Sequence, residues 1–241
     1  MATKKVYCDA GHGGSDPGAV GYVKEAEVNI KVVNYAVAYL EKHFNVDVYK
    51  DISGDSINTV TSRANKWKAD LFVSVHFNAG GGDGYEALVY GSGNQLLGKC
   101  FEKYVKQIGQ NSRGVKYRPD LGVLRLTNMP AILNEIAFVD NKKDIKDWDE
   151  NSELEKMGKA LALATAEWLD LPTKTVKYKT LGNMNFRKKA TTESDVIGTI
   201  PKETTINVIS VDKNGWGKLT YKNKTGYVRI KSPTKTYCEK V

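Results

Sequence analysis

Cysteine is scarce in this chain: three residues in 241, at Cys8, Cys100 and Cys238. An odd, widely spaced set argues against a disulfide framework and matches no cysteine metal motif. Cys8, inside an apolar run, reads as a small core residue. Long hydrophobic runs are missing as well. Met1 to Lys5 leads straight into the first apolar segment with no signal-peptide core, and no stretch is long enough to span a membrane. If the protein acts outside a cell, something other than a standard signal peptide is expected to release it. Histidine is the third scarcity. Only His12, His43 and His76 exist, so there are few ways to compose a histidine metal site.

Three common fingerprints are also missing. The glycines around His12 have the wrong spacing for G-x-G-x-x-G, and no Lys-Ser/Thr follows them as in a Walker loop. His-Gly-Gly resembles an esterase oxyanion loop, but the chain has no G-x-S-x-G nucleophile elbow to go with it.

What is present is a globular composition, 41% hydrophobic and 27% charged, which suits one large domain or two ordinary ones. The net charge of +8 is unevenly spread. Residues 173–241 carry 15 Lys and Arg against 5 Asp and Glu, a net of +10, which leaves −2 for residues 1–172. This asymmetry predicts two modules, the second of which meets an anionic surface.

Element patterns divide at the same place. Val6 to Cys8 reads as a short buried strand that ends in the glycine-rich loop Gly11-His12-Gly13-Gly14. Helices are predicted over Glu25–Lys42, Ser56–Lys68, Leu96–Ile108 and Leu154–Leu169, with a short one capped by Asn141 and running to Trp148. Between them come strands at Val46–Tyr49, Leu71–Val75 ending at His76, Tyr85–Tyr90, Val123–Leu126, and Pro130 onward closing on Glu135. Alternating strands and helices predict an α/β domain over residues 1–172, with a twisted, largely parallel sheet and flanking helices. Beyond Leu171-Pro172-Thr173-Lys174 the segments are short and β-like, from Val176–Leu181 to Lys224–Ile230, with turns such as Asp212-Lys213-Asn214-Gly215. They predict a small all-β barrel over residues 173–241.

In open α/β sheets, sites gather at the carboxyl ends of the strands. His12 and His76 each follow an apolar strand, whereas His43 ends a helix, where a cation is favourable without being functional. Two such histidines and one carboxylate make up a recurrent catalytic zinc set with an open fourth position. Glu25, Glu27, Glu86 and Glu135 are the candidates for the carboxylate, and spacing alone does not choose among them. Glu25 and Glu27 are two apart on a helix, so they point to different faces.

Four stretches together resemble the zinc-dependent N-acetylmuramoyl-L-alanine amidases of the type-3 family. They are Asp9-Ala10-Gly11-His12-Gly13-Gly14-Ser15-Asp16-Pro17-Gly18-Ala19, Lys24-Glu25-Ala26-Glu27-Val28-Asn29-Ile30, the run Ala69 to Ala79 containing His76, and the run Met129 to Phe138 containing Glu135. They fall in order across most of residues 5–170. The resemblance implies a zinc ion (Zn2+) held by His12, Glu25 and His76, with Glu135 as the catalytic acid/base. Ala10 stands where proline is common and Ala137 where glycine is common; neither carries a ligand atom. Met184-Asn185-Phe186-Arg187, Asn214 to Leu219 and Thr225-Gly226-Tyr227-Val228 resemble a bacterial SH3-like domain, a type that commonly binds cell walls. Trp216, Tyr221 and Tyr227 serve either its core or a binding groove, with core the stronger reading for Trp216.

The expectation is therefore a peptidoglycan hydrolase that cuts between N-acetylmuramic acid and L-alanine. It would be of endolysin or autolysin type, made in the cytoplasm and acting on the wall after release. Bacterial peptidoglycan is the expected partner, anionic wall polymers meet the basic module, and nucleic acid is not expected. The alternatives are a zinc peptidase acting within the stem peptide and a non-catalytic wall-binding protein.

Overall fold

Val6, Cys8 and Ala10 point to one side of the first strand and Tyr7 to the other, as side chains on a strand must. Both sides are apolar, so both need a cover. The computed structural model, which describes residues 2–241, supplies a layer of helices on each. The chain divides into two compact units, the first ending at Pro172 and the second running from Thr173 to Val241. Among the described residues no helix is long and apolar enough to cross a membrane.

The first unit has a sheet of six strands: β1 (Lys4–Ala10), β2 (Val46–Asp51), β3 (Leu71–Asn78), β4 (Tyr85–Val89), β5 (Ser112–Tyr117) and β6 (Ala131–Phe138). Their order is β2-β1-β3-β6-β4-β5, parallel throughout except where β4 meets β6. Helices α1 (Glu25–His43), α2 (Ile57–Trp67), α3 (Gln95–Gln107) and α4 (Gly122–Arg125) connect them, and α5 (Lys142–Ile145) and α6 (Asn151–Trp168) follow β6. α1, α3 and α6 cover one face, packing Val32, Phe101 and Leu161 against Val6, Val73 and Ile132. The other face has only α2 and the single turn of α4, which pack Val60, Ala64, Val123 and Leu124 on Tyr7, Phe72 and Leu133. That thinner cover leaves room for a cavity.

Several predicted elements differ. Val123–Leu126 is not a strand. It lies in the helical turn α4, where the neighbours Val123 and Leu124 both pack into the one cluster with Tyr7 and Phe72, whereas neighbours on a strand point to opposite faces. Asn141 does cap α5, accepting from the Lys143 and Asp144 amides, but the helix ends at Ile145 and not Trp148. Residues 146–150 offer one apolar side chain, too few to bury another turn. β5 was not foreseen, since Ser-Arg-Gly-Val-Lys-Tyr offers only Val115 and Tyr117 to show an alternation; it is an edge strand held by its backbone pairing to β4. β3 and β6 run past His76 and Glu135 instead of ending there, because the ladder between them continues through a bulge to Asn78 and Phe138.

The second unit is one antiparallel sheet of seven strands. They are β7 (Val176–Thr180), β8 (Met184–Arg187), β9 (Val196–Ile200), β10 (Thr205–Val211), β11 (Trp216–Tyr221), β12 (Lys224–Arg229) and the unforeseen β13 (Cys238–Lys240). Phe186, Ile200, Ile206, Leu219 and Val228 form its core. Trp216 is 4% exposed but lies outside that core cluster, with the Arg229 guanidinium over its ring, while Tyr221 and Tyr227 are half-buried.

Candidate active site

His12 follows β1 with φ of +63°, a left-handed conformation that few side chains adopt readily. A tight turn holds it there. Gly13 and Asp16 exchange backbone hydrogen bonds of 2.8 and 2.9 Å. The Asp16 carboxylate lies 2.8 Å from His12 Nδ1, so that nitrogen carries the proton it donates and Nε2 is left to face inward. The Gly11 amide adds one more rung, to the Val75 carbonyl at 3.0 Å. Gly11 must be glycine, because a Cβ there would lie 2.0 Å from the His76 ring.

Glu25 opens α1 and is buried, and its carboxylate is tied down on all sides. Oε2 accepts from the Ala19 amide at 2.8 Å, and Oε1 accepts from the Phe77 amide at 3.2 Å. Oε1 also lies 2.9 Å from His76 Nδ1 and 3.3 Å from His12 Nε2. One donor atom from each of His12, Glu25 and His76 falls within 4.8 Å of the others. One turn further along α1, the fully buried Asn29 donates to the Gly11 carbonyl at 2.8 Å, which fixes the helix to the histidine loop.

His76 and Glu135 are register partners on adjacent parallel strands. Both project to the thinly covered face, since each is an even number of residues from Phe72 or Leu133, which pack there. A cavity of about 510 Å³ opens at this point. Asp9, His12, His76, Glu135 and Arg118 line it with Val60, Leu88 and Leu133. Ser74 donates to Asp9 at 2.6 Å beneath the site, and Asn134 donates to the Ser74 carbonyl at 3.0 Å.

The charges here are unbalanced. Burial pushes the Glu25 carboxyl up, but its hydrogen bonds to His12 and His76 more than offset this and hold it well below the usual range. The hydrogen bond to Glu25 raises His12 to about 9 against the pull of burial, and Asp16 adds to the rise. Glu135 moves the other way. Burial pushes it up to about 7, His76 opposes the rise, and the charges of Glu25 and Glu86 add to it. Its Oε2 is buried with no hydrogen-bond partner from the described residues. A base poised near neutrality with a free oxygen suits proton transfer.

The raised His12 value has a stability consequence in protein stripped of metal. The protonated imidazole is favoured in the folded state, so its contribution is complete below about pH 6.5, the ordinary histidine value, and is lost as pH rises through about 9. Thermal melts of chelator-stripped protein from pH 6 to 9.5 are expected to show Tm falling over that window. His12→Asn should flatten the fall, and equal slopes for the two proteins would contradict it.

The remaining sequence candidates lie elsewhere. Glu27 is exposed and pairs with Lys24 at 3.1 Å. Glu86 is buried between Arg113 and Lys116, 2.5 Å from each. His43 packs on the Tyr39 ring at the end of α1. Sequence reasoning assigned no role to Asp16, Asn29 or Arg118. Asp16 and Asn29 stood inside the quoted motifs, and their polarity beside apolar or glycine neighbours was the available signal. Arg118 had none, since its place depends on β5.

Comparison with known proteins places both units among known families. A family model described as N-acetylmuramoyl-L-alanine amidase matches residues 6–167, and one described as bacterial SH3 domain matches residues 182–232. The endolysin of Bacillus phage SPP1 is 37% identical over 72% of this chain and 69% of its own length. The N-acetylmuramoyl-L-alanine amidase CwlM of Bacillus licheniformis is 32% identical over 79% of this chain and 78% of its own. The catalytic domain of CwlV, an N-acetylmuramoyl-L-alanine amidase from Bacillus (Paenibacillus) polymyxa var. colistinus, superposes with a TM-score of 0.67 at 27% identity. That match covers 70% of this chain and all of that domain.

Proposed function

The chain belongs to the N-acetylmuramoyl-L-alanine amidase family, and from that premise we propose that it cleaves peptidoglycan with a zinc ion held by His12, Glu25 and His76 and with Glu135 as the acid/base. The reaction is hydrolysis of the amide that joins N-acetylmuramic acid to L-alanine. The observation that carries the site assignment is the clustering of one buried carboxylate and two imidazoles within 4.8 Å, beside a carboxylate near neutrality.

The donor set fits zinc. Two histidines and one glutamate are a recurrent catalytic combination that leaves one position for substrate or water. Asp16 bonds the far nitrogen of His12, as carboxylates commonly do for metal-binding imidazoles. Gly11 and Gly18 keep the space clear, since a Cβ at Gly18 would lie 2.6 Å from the Glu25 carboxylate. Zinc at this trio supplies Lewis acidity, which polarises a carbonyl and acidifies water.

The chain's own groups do the rest. The cavity receives the muramyl-peptide with its scissile carbonyl toward the trio. Glu135 Oε2, uncommitted to any described protein group, takes the proton of the attacking water as the new C–O bond forms. It then delivers that proton to the alanine nitrogen as the C–N bond breaks. The products are the free lactyl carboxyl of the sugar and a stem peptide with a free amine. The second unit, with its +10 charge and SH3-like sheet, is proposed to hold the enzyme on the wall it cuts.

Mass spectrometry of digested peptidoglycan tests this reading. Intact stem peptides that begin at alanine are expected. Shortened peptides would indicate a peptidase, and the absence of products a binding protein.

A further inference from the structure

The arginines of the two units keep different company. Three of the four arginines in the first unit sit on carboxylates: Arg63 on Asp51 and Asp55, Arg113 on Glu86, and Arg118 on Asp120. In the second unit both arginines are held by main-chain carbonyls instead. Arg187 donates to the Ser194 carbonyl at 2.6 Å and Arg229 to the Lys231 carbonyl at 2.9 Å. Arg229 is also stacked 5.1 Å from the centre of the Trp216 ring. A carbonyl orients a guanidinium without neutralising it. Both side chains are thus pre-oriented, and their positive charge remains unspent.

They converge on one groove. Two adjoining cavities of about 660 and 510 Å³ share Thr192, Trp216, Arg229 and Ser232. Arg187 lines one, Lys213 and Lys231 line the other, and no Asp or Glu lines either. Two acids adjoin the lining in sequence: Asp212, beside Lys213, is engaged by the Asn214 and Trp216 amides, and Glu193, beside Thr192, lies outside both cavities. Between the cations the lining mixes the Thr192 and Ser232 hydroxyls and the Asn185 and Asn214 amides with Met184 and Trp216.

We propose that this groove binds a phosphodiester-linked anionic polymer of the bacterial cell wall. The idea rests on the wall-anchoring role given above to the second unit and names its ligand. Arginine forks match phosphate oxygens in a bidentate manner, and a carbonyl-tethered fork loses little further freedom on binding. Two joined cavities with cations along both suit an extended chain bearing one charge per repeat, with sugar or polyol hydroxyls between. A stem peptide also carries carboxylates, but it has no phosphodiester to lose, so cleaving the phosphodiesters of the wall separates the two ligands.

The test pellets the full-length chain with purified bacterial walls in the cold, before turnover, across a salt series. The walls are used intact and after hydrofluoric acid has cleaved their phosphodiesters. Arg187→Gln with Arg229→Gln is expected to weaken binding to intact walls by about 10-fold or more, since charged hydrogen bonds are the strong ones. Wild type should bind extracted walls as weakly as that variant binds intact ones. Lys213→Ala with Lys231→Ala removes exposed charge only, and it should give a smaller loss confined to low salt. Near-ultraviolet circular dichroism reports whether the second unit is still folded; if the arginine variant is not, the lysine variant decides. Hydrolysis of a soluble muramyl-peptide should be unchanged in both variants, and it tests the amidase reading separately. Undiminished binding by a folded arginine variant, or undiminished binding of wild type to extracted walls, would overturn the proposal.

Discussion

His76→Ala is expected to lose bound zinc and activity together. In elemental analysis the metal should fall from one ion per chain to almost none, and hydrolysis of peptidoglycan should drop to background. The reason is geometric. His76 Nδ1 lies 2.9 Å from Glu25 Oε1, and Gly11 lacks a side chain so that the His76 ring can fit. Removing the ring leaves two ligands where catalytic zinc uses three. It also deprives the buried Glu25 carboxylate of a partner, which costs roughly 1–3 kcal/mol for a group left short of hydrogen bonds. Chelated wild type is the control, because it loses metal without losing the ring. Added zinc should restore activity to chelated wild type but not to His76→Ala. Full zinc content and activity in the variant would sink the ligand assignment.

Glu135→Gln should separate binding from chemistry. The rate is expected to fall by about 10²–10⁴-fold, the range for loss of a general acid/base, with zinc content and fold retained. Burial holds the wild-type carboxyl up at about 7, so folding already resists its charge, and the neutral amide should not lower Tm. Oε2 makes no hydrogen bond to a described residue, so no protein contact is broken there. The pH profile offers a second readout. The base must be ionised, so wild-type activity should fall as pH drops through the Glu135 pKa, and bound zinc would place that point below 7 by attracting the anion. The residual activity of Glu135→Gln should lack that acid limb. Loss of zinc in this variant would make Glu135 a ligand instead.

Much of the architecture was legible because it depends on local pattern. The apolar runs of β1, β3 and β6 and the helical spacing of α1, α2, α3 and α6 are visible in sequence. So is the change to short strands after Pro172. The misses have a common origin. β5 has only two alternating apolar residues and exists through backbone pairing, and α4 is a run too short to reveal its period. The ends of β3 and β6 were misjudged because a polar side chain ends an apolar run without ending a hydrogen-bonded ladder.

By itself, the sequence determined the glycine-rich loop around His12, the order of the four amidase-like motifs, the scarcity of histidine and cysteine, and the concentration of positive charge after residue 172. These are properties of residue type and spacing, and they need no third dimension. Only the tertiary structure decided which groups meet. Glu25 reaches both imidazoles because α1 begins beside the ends of β1 and β3, while Glu27, two residues on, is turned to Lys24. Glu86 has the same chemistry but faces Arg113 and Lys116 across a strand pairing that is invisible in sequence. In the second unit, sequence counted the positive charges, but folding decided which arginines rest on carbonyls and remain uncompensated. A carboxylate or a guanidinium acquires its role from the field around it, and residues distant in the chain make that field.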